Sequence, residues 1–208
     1  MDSAEEQVGV VALVAKDVYN WLLPLVTINI LWFLLSLTVI LMPPATVALY
    51  DVAYEAKRGR SPEIRLYLHS VRRWLLPGWI WALLNTGLAL IALFAFSFYG
   101  TQPGVAQIAL VICIAYTAVI LLAQYYFWPY VMLQVQVSLR TAARNALFTL
   151  LGDAPLVLFY GLLSFFLLAT SALLLIPLVI LAPVVVAFLS VYSLLDWVER
   201  RKLIQPPG

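Results

Sequence analysis

Charge is what this chain has least of. Only 11% of its 208 residues are Asp, Glu, Lys or Arg, while 64% are apolar. A soluble domain runs at about 25% charged and about 45–50% apolar. A core of this length could not hide so many Leu, Val and Ile from water, so lipid must be the solvent for much of the surface. The one cysteine, Cys113, lies in an apolar run and excludes an intrachain disulfide, a CxxC redox pair and a thiolate metal site. The one histidine, His69, has no second histidine and no nearby nucleophile motif, so packing on a surface helix is its plainer role. There is no glycine-rich phosphate loop, no GxSxG and no HExxH, which leaves enzyme activity without residues to assign. No cofactor is implied, and a net charge of +2 makes no case for nucleic acid. Asp2, Glu5 and Glu6 stand where a signal peptide would carry lysine or arginine, so the N-terminus is expected to be retained.

What is present is a set of long uncharged runs. Residues 18–50 carry no charge, and 21–42 supply a spanning stretch that Pro43 and Pro44 are expected to end. Residues 74–139 form a second run, about 99 Å long if one helix and therefore about three bilayer cores. The chain must turn within it, and Gly100-Thr101-Gln102-Pro103-Gly104 is the obvious place, giving spans at 77–99 and 105–127. Residues 154–195 are long enough for a helical hairpin, with spans at 155–175 and 178–197 and a turn bracketed by Pro177 and Pro183. Between these runs, 45–75 and 129–151 interleave basic and apolar residues and read as interfacial amphipathic helices on the cytoplasmic side. Ser61-Pro62-Glu63 marks a helix start, with Ser61 as cap. Residues 1–20 hold an apolar stretch too short to cross alone and read as an N-terminal surface helix, and 198–208 as a cytoplasmic tail. The expectation is an all-α polytopic membrane bundle in a single domain, with about five transmembrane helices.

Sidedness follows from where the few cations lie. Lys and Arg favour the cytoplasmic side of short loops. In the five-span arrangement every one of the twelve basic residues except Lys16 falls on one side. That puts the N-terminus outside and the C-terminus in the cytoplasm. Arg58, Arg60, Arg65, Arg72, Arg73, Arg140 and Arg144 are then candidate contacts for anionic lipid or for a partner. Inside the spans the polar residues are few, and Asn29, Asn85 and Gln124 are the candidates for a polar path. Their plainer reading is as interhelical hydrogen bonds, worth on average about 0.6 kcal/mol each. No Asp, Glu, Lys, Arg or His sits away from the span ends, which disfavours a self-contained proton-coupled transporter.

The residues Asn29-Ile30-Leu31-Trp32, followed by Pro44-Ala45-Thr46-Val47-Ala48-Leu49-Tyr50 and then Lys57-Arg58-Gly59-Arg60, carry a further signal. This pattern resembles the YesL-like family of bacterial membrane proteins, which share an Asn-x-Leu-Trp span and a Gly-Pro-Ala-Thr-x-Ala-Leu-Tyr signature. The likeness covers residues 20–76 and, more loosely, 127–155; Pro43 stands where the family has glycine. The resemblance implies a bacterial plasma-membrane protein whose molecular activity is not established. It also implies an accessory, non-enzymatic role beside ATP-driven carbohydrate importers of the ABC class, in contact with their permease subunits. The alternative is an independent small-solute channel or carrier lined by Asn29, Asn85 and Gln124.

Overall fold

A computed structural model describes residues 3–174 and 180–201. Every regular element among them is a helix: α1 Ser3–Asn20, α2 Leu22–Ser36, α3 Met42–Lys57, α4 Ile64–Arg73, α5 Leu75–Gly100, α6 Val105–Met132, α7 Leu139–Gly152, α8 Ala154–Leu174 and α9 Ala182–Arg200. Four of these, α5, α6, α8 and α9, are long and apolar enough to cross a membrane, and α1 with α2 makes a fifth if the bent pair is one span. The chain is a polytopic helical bundle. The expected turn at Pro177 lies outside the described residues, as does Lys202 in the tail.

Prolines mark where helices begin. Pro24, Pro77, Pro155 and Pro183 fall in the first turns of α2, α5, α8 and α9, and Pro43 and Pro44 in that of α3. A first-turn residue has no intrahelical partner for its amide, so proline costs nothing there and its fixed φ suits the helix. This corrects the first expected span. The helix stops at Ser36, short of residue 42, and Pro43 and Pro44 open the next one. Between them the Thr38 hydroxyl donates to Leu35 O at 2.7 Å and accepts from Leu41 N at 3.3 Å, while Val39 sits at φ +58. A β-branched residue in the left-handed region is strained. With 15 residues, α2 is about 22 Å long, short of a bilayer core of about 30 Å. It also meets the Gln7–Asn20 helix at 88°.

The second correction concerns α3. Its charged residues suggested a surface helix, but Ala45, Val47, Ala48, Leu49, Val52, Ala53 and Ala56 are buried and the helix lies at the centre of the bundle. It packs against α2, α4, α5, α6 and α9. Small side chains let neighbouring backbones come close. Gly78 of α5 is the tightest point, where a Cβ would stand 3.1 Å from Pro44 Cα and 3.3 Å from Pro43 C. The other central element is α9, buried along Ala187, Ser190, Val191, Ser193 and Leu194. In contrast, the most apolar stretches of α5 and α6 have no residue buried within the protein.

Pro129 lies inside α6 rather than at its start. It has no amide hydrogen for the carbonyl of Tyr125 four residues earlier. Ser190 of α9 takes that place, its hydroxyl donating to Tyr125 O at 2.5 Å. A helix interruption in an apolar setting is tolerated when a neighbouring helix re-satisfies the freed group. Beyond Met132 a short connector leads to α7, whose cap Ser138 accepts from Thr141 N at 3.3 Å. The helix start expected at Ser61 falls instead at Ile64, with Glu63 in extended conformation ahead of it.

Candidate functional site

The basic residues are brought together at one end. Arg58, Arg60, Arg65, Arg72, Arg73, Arg140 and Arg144 are all exposed. Arg58 at the end of α3 and Arg73 at the end of α4 line a cavity of about 300 Å³ together with Gln134 and Val137 of the α6–α7 connector. Gln134 also lines a neighbouring cavity of about 400 Å³, which Arg201 shares. Two basic segments far apart in sequence, Arg58–Arg73 and the end of α9, thus converge around residues 133–138. Several cations there rest on aromatic faces: Arg58 lies 5.6 Å from the Tyr54 ring centre, Arg73 4.9 Å from Trp74 and Arg201 4.6 Å from Trp197. Such contacts hold a cation at about 0.5–1 kcal/mol when exposed, and Arg201 is also paired with Asp153 Oδ2 at 3.4 Å.

The floor of the Arg58–Arg73 cavity is acidic. Asp51 of α3 is 5% exposed, and its Oδ2 accepts from Ser70 Oγ at 2.7 Å and from Trp74 Nε1 at 2.9 Å. Glu55, one turn on, pairs with Arg60 at 3.0 Å. Tyr67 of α4 ties the same two helices together, its hydroxyl donating to Ala45 O at 3.2 Å. Burial pushes the Tyr67 phenol well above its ordinary value, so it stays a neutral donor. The Nε2 of Gln134 is buried with no hydrogen-bond partner. The cavity therefore offers carboxylate acceptors, exposed guanidinium donors and an unpaired amide in one place. Sequence reading passed over Asp51 as the charge that merely bounds an apolar run. The one signal was its position, since Asp51 shares a helical face with the apolar Ala48 and Val52.

Apart from Gln134 and Arg201, these residues lie in one recognisable stretch. Residues 25–97 match the family model of DUF624, a protein of unknown function. That stretch runs from α2 through most of α5 and holds Asp51, Ser70, Trp74, Gly78 and the five arginines from Arg58 to Arg73. It ends before Gln124 and Arg140. No curated protein and no solved structure matches the chain.

The three intramembrane candidates separate into two places. Asn29 is fully buried where α2 meets the start of α9, and its Oδ1 accepts from Val184 N at 3.2 Å. Asn85 and Gln124 share a different, apolar groove of about 520 Å³ between α5, α6 and α7. There Asn85 Nδ2 donates to Trp81 O at 2.8 Å, and Gln124 Oε1 accepts from Trp81 Nε1 at 2.7 Å. The structure does not gather the three around one path. His69 is exposed on α4, and no three of His, Cys, Asp and Glu come together as a metal set among the described residues.

Proposed function

We propose that this protein is a non-enzymatic accessory component of a bacterial plasma membrane, docking beside an ATP-driven carbohydrate importer. The observation that carries the reading is the convergence of Arg58, Arg73 and Arg201 around the α6–α7 connector, which makes one cationic end from two segments far apart in sequence. On the positive-inside rule that end faces the cytosol. The bare flanks of α5 and α6 supply the matching intramembrane surface for a permease subunit. The likeness of residues 20–76 to YesL-like proteins supplies the carbohydrate class. The helix α1 belongs to the same end: Gln7 O accepts from Tyr160 OH at 3.2 Å and Asp17 Oδ2 from Tyr192 OH at 2.8 Å, with Gln7 lining a cavity beside Arg200 and Arg201. This favours an N-terminus on the cytosolic side, in place of the outside position expected from counting spans.

Separation of Asn29 from Asn85 and Gln124 weighs against the channel reading. The test is affinity capture from native membranes in mild detergent, with partners identified by mass spectrometry. Permease subunits should co-purify, and Arg58→Glu with Arg73→Glu should release them. Recovery of a partner-free species, together with unchanged sugar uptake after deletion, would refute the proposal.

A further inference from the structure

The apolar groove between α5, α6 and α7 has a chemistry of its own. We propose that it binds one phospholipid with an anionic headgroup, the phosphate on Arg140 and an acyl chain along the α5–α6 wall. Its volume of about 520 Å³ lies within the range of about 300–1,000 Å³ typical of ligand sites. Leu84, Leu88, Ile120 and Phe127 are among the apolar residues of its wall, and Arg140 is the one charged residue among those that line it. The uncharged polar side chains in the wall are few, and Asn85 and Gln124 each spend one polar atom on Trp81. A polar solute would leave its own groups unmatched against hydrocarbon. A wholly apolar occupant would make no use of the Arg140 guanidinium at the rim, which an anionic headgroup would pair with. An amphiphile with one negative end meets both demands.

Position within the fold sharpens the choice. Arg140 is exposed in the first turn of α7, where unpaired amides and the helix dipole also favour an anion. The groove walls belong to the two helices whose apolar stretches are bare of protein contact, so the surrounding bilayer is the source of the occupant. A lipid entering sideways would meet its counter-charge at the rim and hydrocarbon below it. Arg144, one turn on and equally exposed, does not line the groove and provides an internal control.

The experiment is native mass spectrometry of the purified protein in detergent, titrated with phosphatidylglycerol or with phosphatidylcholine. One phosphatidylglycerol should be retained in preference to phosphatidylcholine. Arg140→Gln should cut that retention about fivefold, the effect of removing one basic contact, and Arg144→Gln should leave it unchanged. Ala143→Trp, which fills the groove, should remove both lipids. Equal losses in the two arginine variants would show diffuse surface attraction and overturn the site, as would retention that ignores the headgroup. The measurement needs no partner protein, so its result is separate from that of the docking proposal.

Discussion

Removing the Ser190 hydroxyl should destabilise the bundle only as long as residue 129 is proline. Ser190 is fully buried in α9, and the one acceptor of its hydroxyl is the Tyr125 carbonyl that Pro129 leaves without an amide donor. Ser190→Ala leaves that carbonyl unmatched in an apolar setting. An unsatisfied buried acceptor costs about 1–3 kcal/mol, and interhelical hydrogen bonds in membranes average about 0.6 kcal/mol with a maximum near 1.7. A loss of about 1–2 kcal/mol follows, which for a chain of this size lowers Tm by roughly 2–8 °C. In a Pro129→Ala background the alanine amide reaches Tyr125 O within α6, and Ser190→Ala should then cost less than about 0.5 kcal/mol. Thermal unfolding in detergent, followed by tryptophan fluorescence on the four proteins of the cycle, reads the difference. An equal loss from Ser190→Ala in both backgrounds would refute the pairing of the two residues.

Two further outcomes are open to the same assay. Gly78→Ala should lower Tm, because the new methyl presses on Pro44 backbone and overpacking costs about 1–3 kcal/mol. Gly87→Ala, in the same helix with nothing within 4 Å, should leave it level or raise it by up to about 1 kcal/mol equivalent. Asp51→Ala strands the Ser70 hydroxyl and the Trp74 indole and should cost about 3 kcal/mol, since each hydrogen bond to a charged group contributes about 1.5–3 kcal/mol. Asp51→Asn keeps an acceptor and should cost less than half of that; equal losses would mean that the charge, not the hydrogen bonding, holds α3 to α4.

Helical class and membrane character were legible because they depend on local runs: uncharged stretches around Leu84 or Leu162 leave few alternatives to a lipid-facing helix. The placement of α3 was not legible, because Lys57, Arg58 and Glu55 look like surface residues whichever way the Ala45–Ala56 face points. Much of what buries that face is α9, more than a hundred residues later. Pro43 and Pro44 were ambiguous for a related reason, since proline after an apolar run is compatible with an ending or a beginning, and only the strained turn at Val39 decides. The polar cluster was hidden by distance, as Asp51 finds its donors 19 and 23 residues on. Asn29, Asn85 and Gln124 were visible as polar residues in apolar runs, but sequence carries no information on which helix faces which.

Helix lengths in this bundle are unequal in a way that matters to its surroundings. With 26 and 28 residues, α5 and α6 reach about 39 and 42 Å, well beyond a hydrocarbon layer of about 30 Å, whereas the 15 residues of α2 reach only about 22 Å. The pair is held to the core at one end, by the Gly78 contact with Pro44 and the Ser190 bond to Tyr125, while its apolar stretch is bare of protein contact. A thinner bilayer should tip the free end of this arm further over and a thicker one should stand it up. The angle of the arm thus becomes a gauge of membrane thickness.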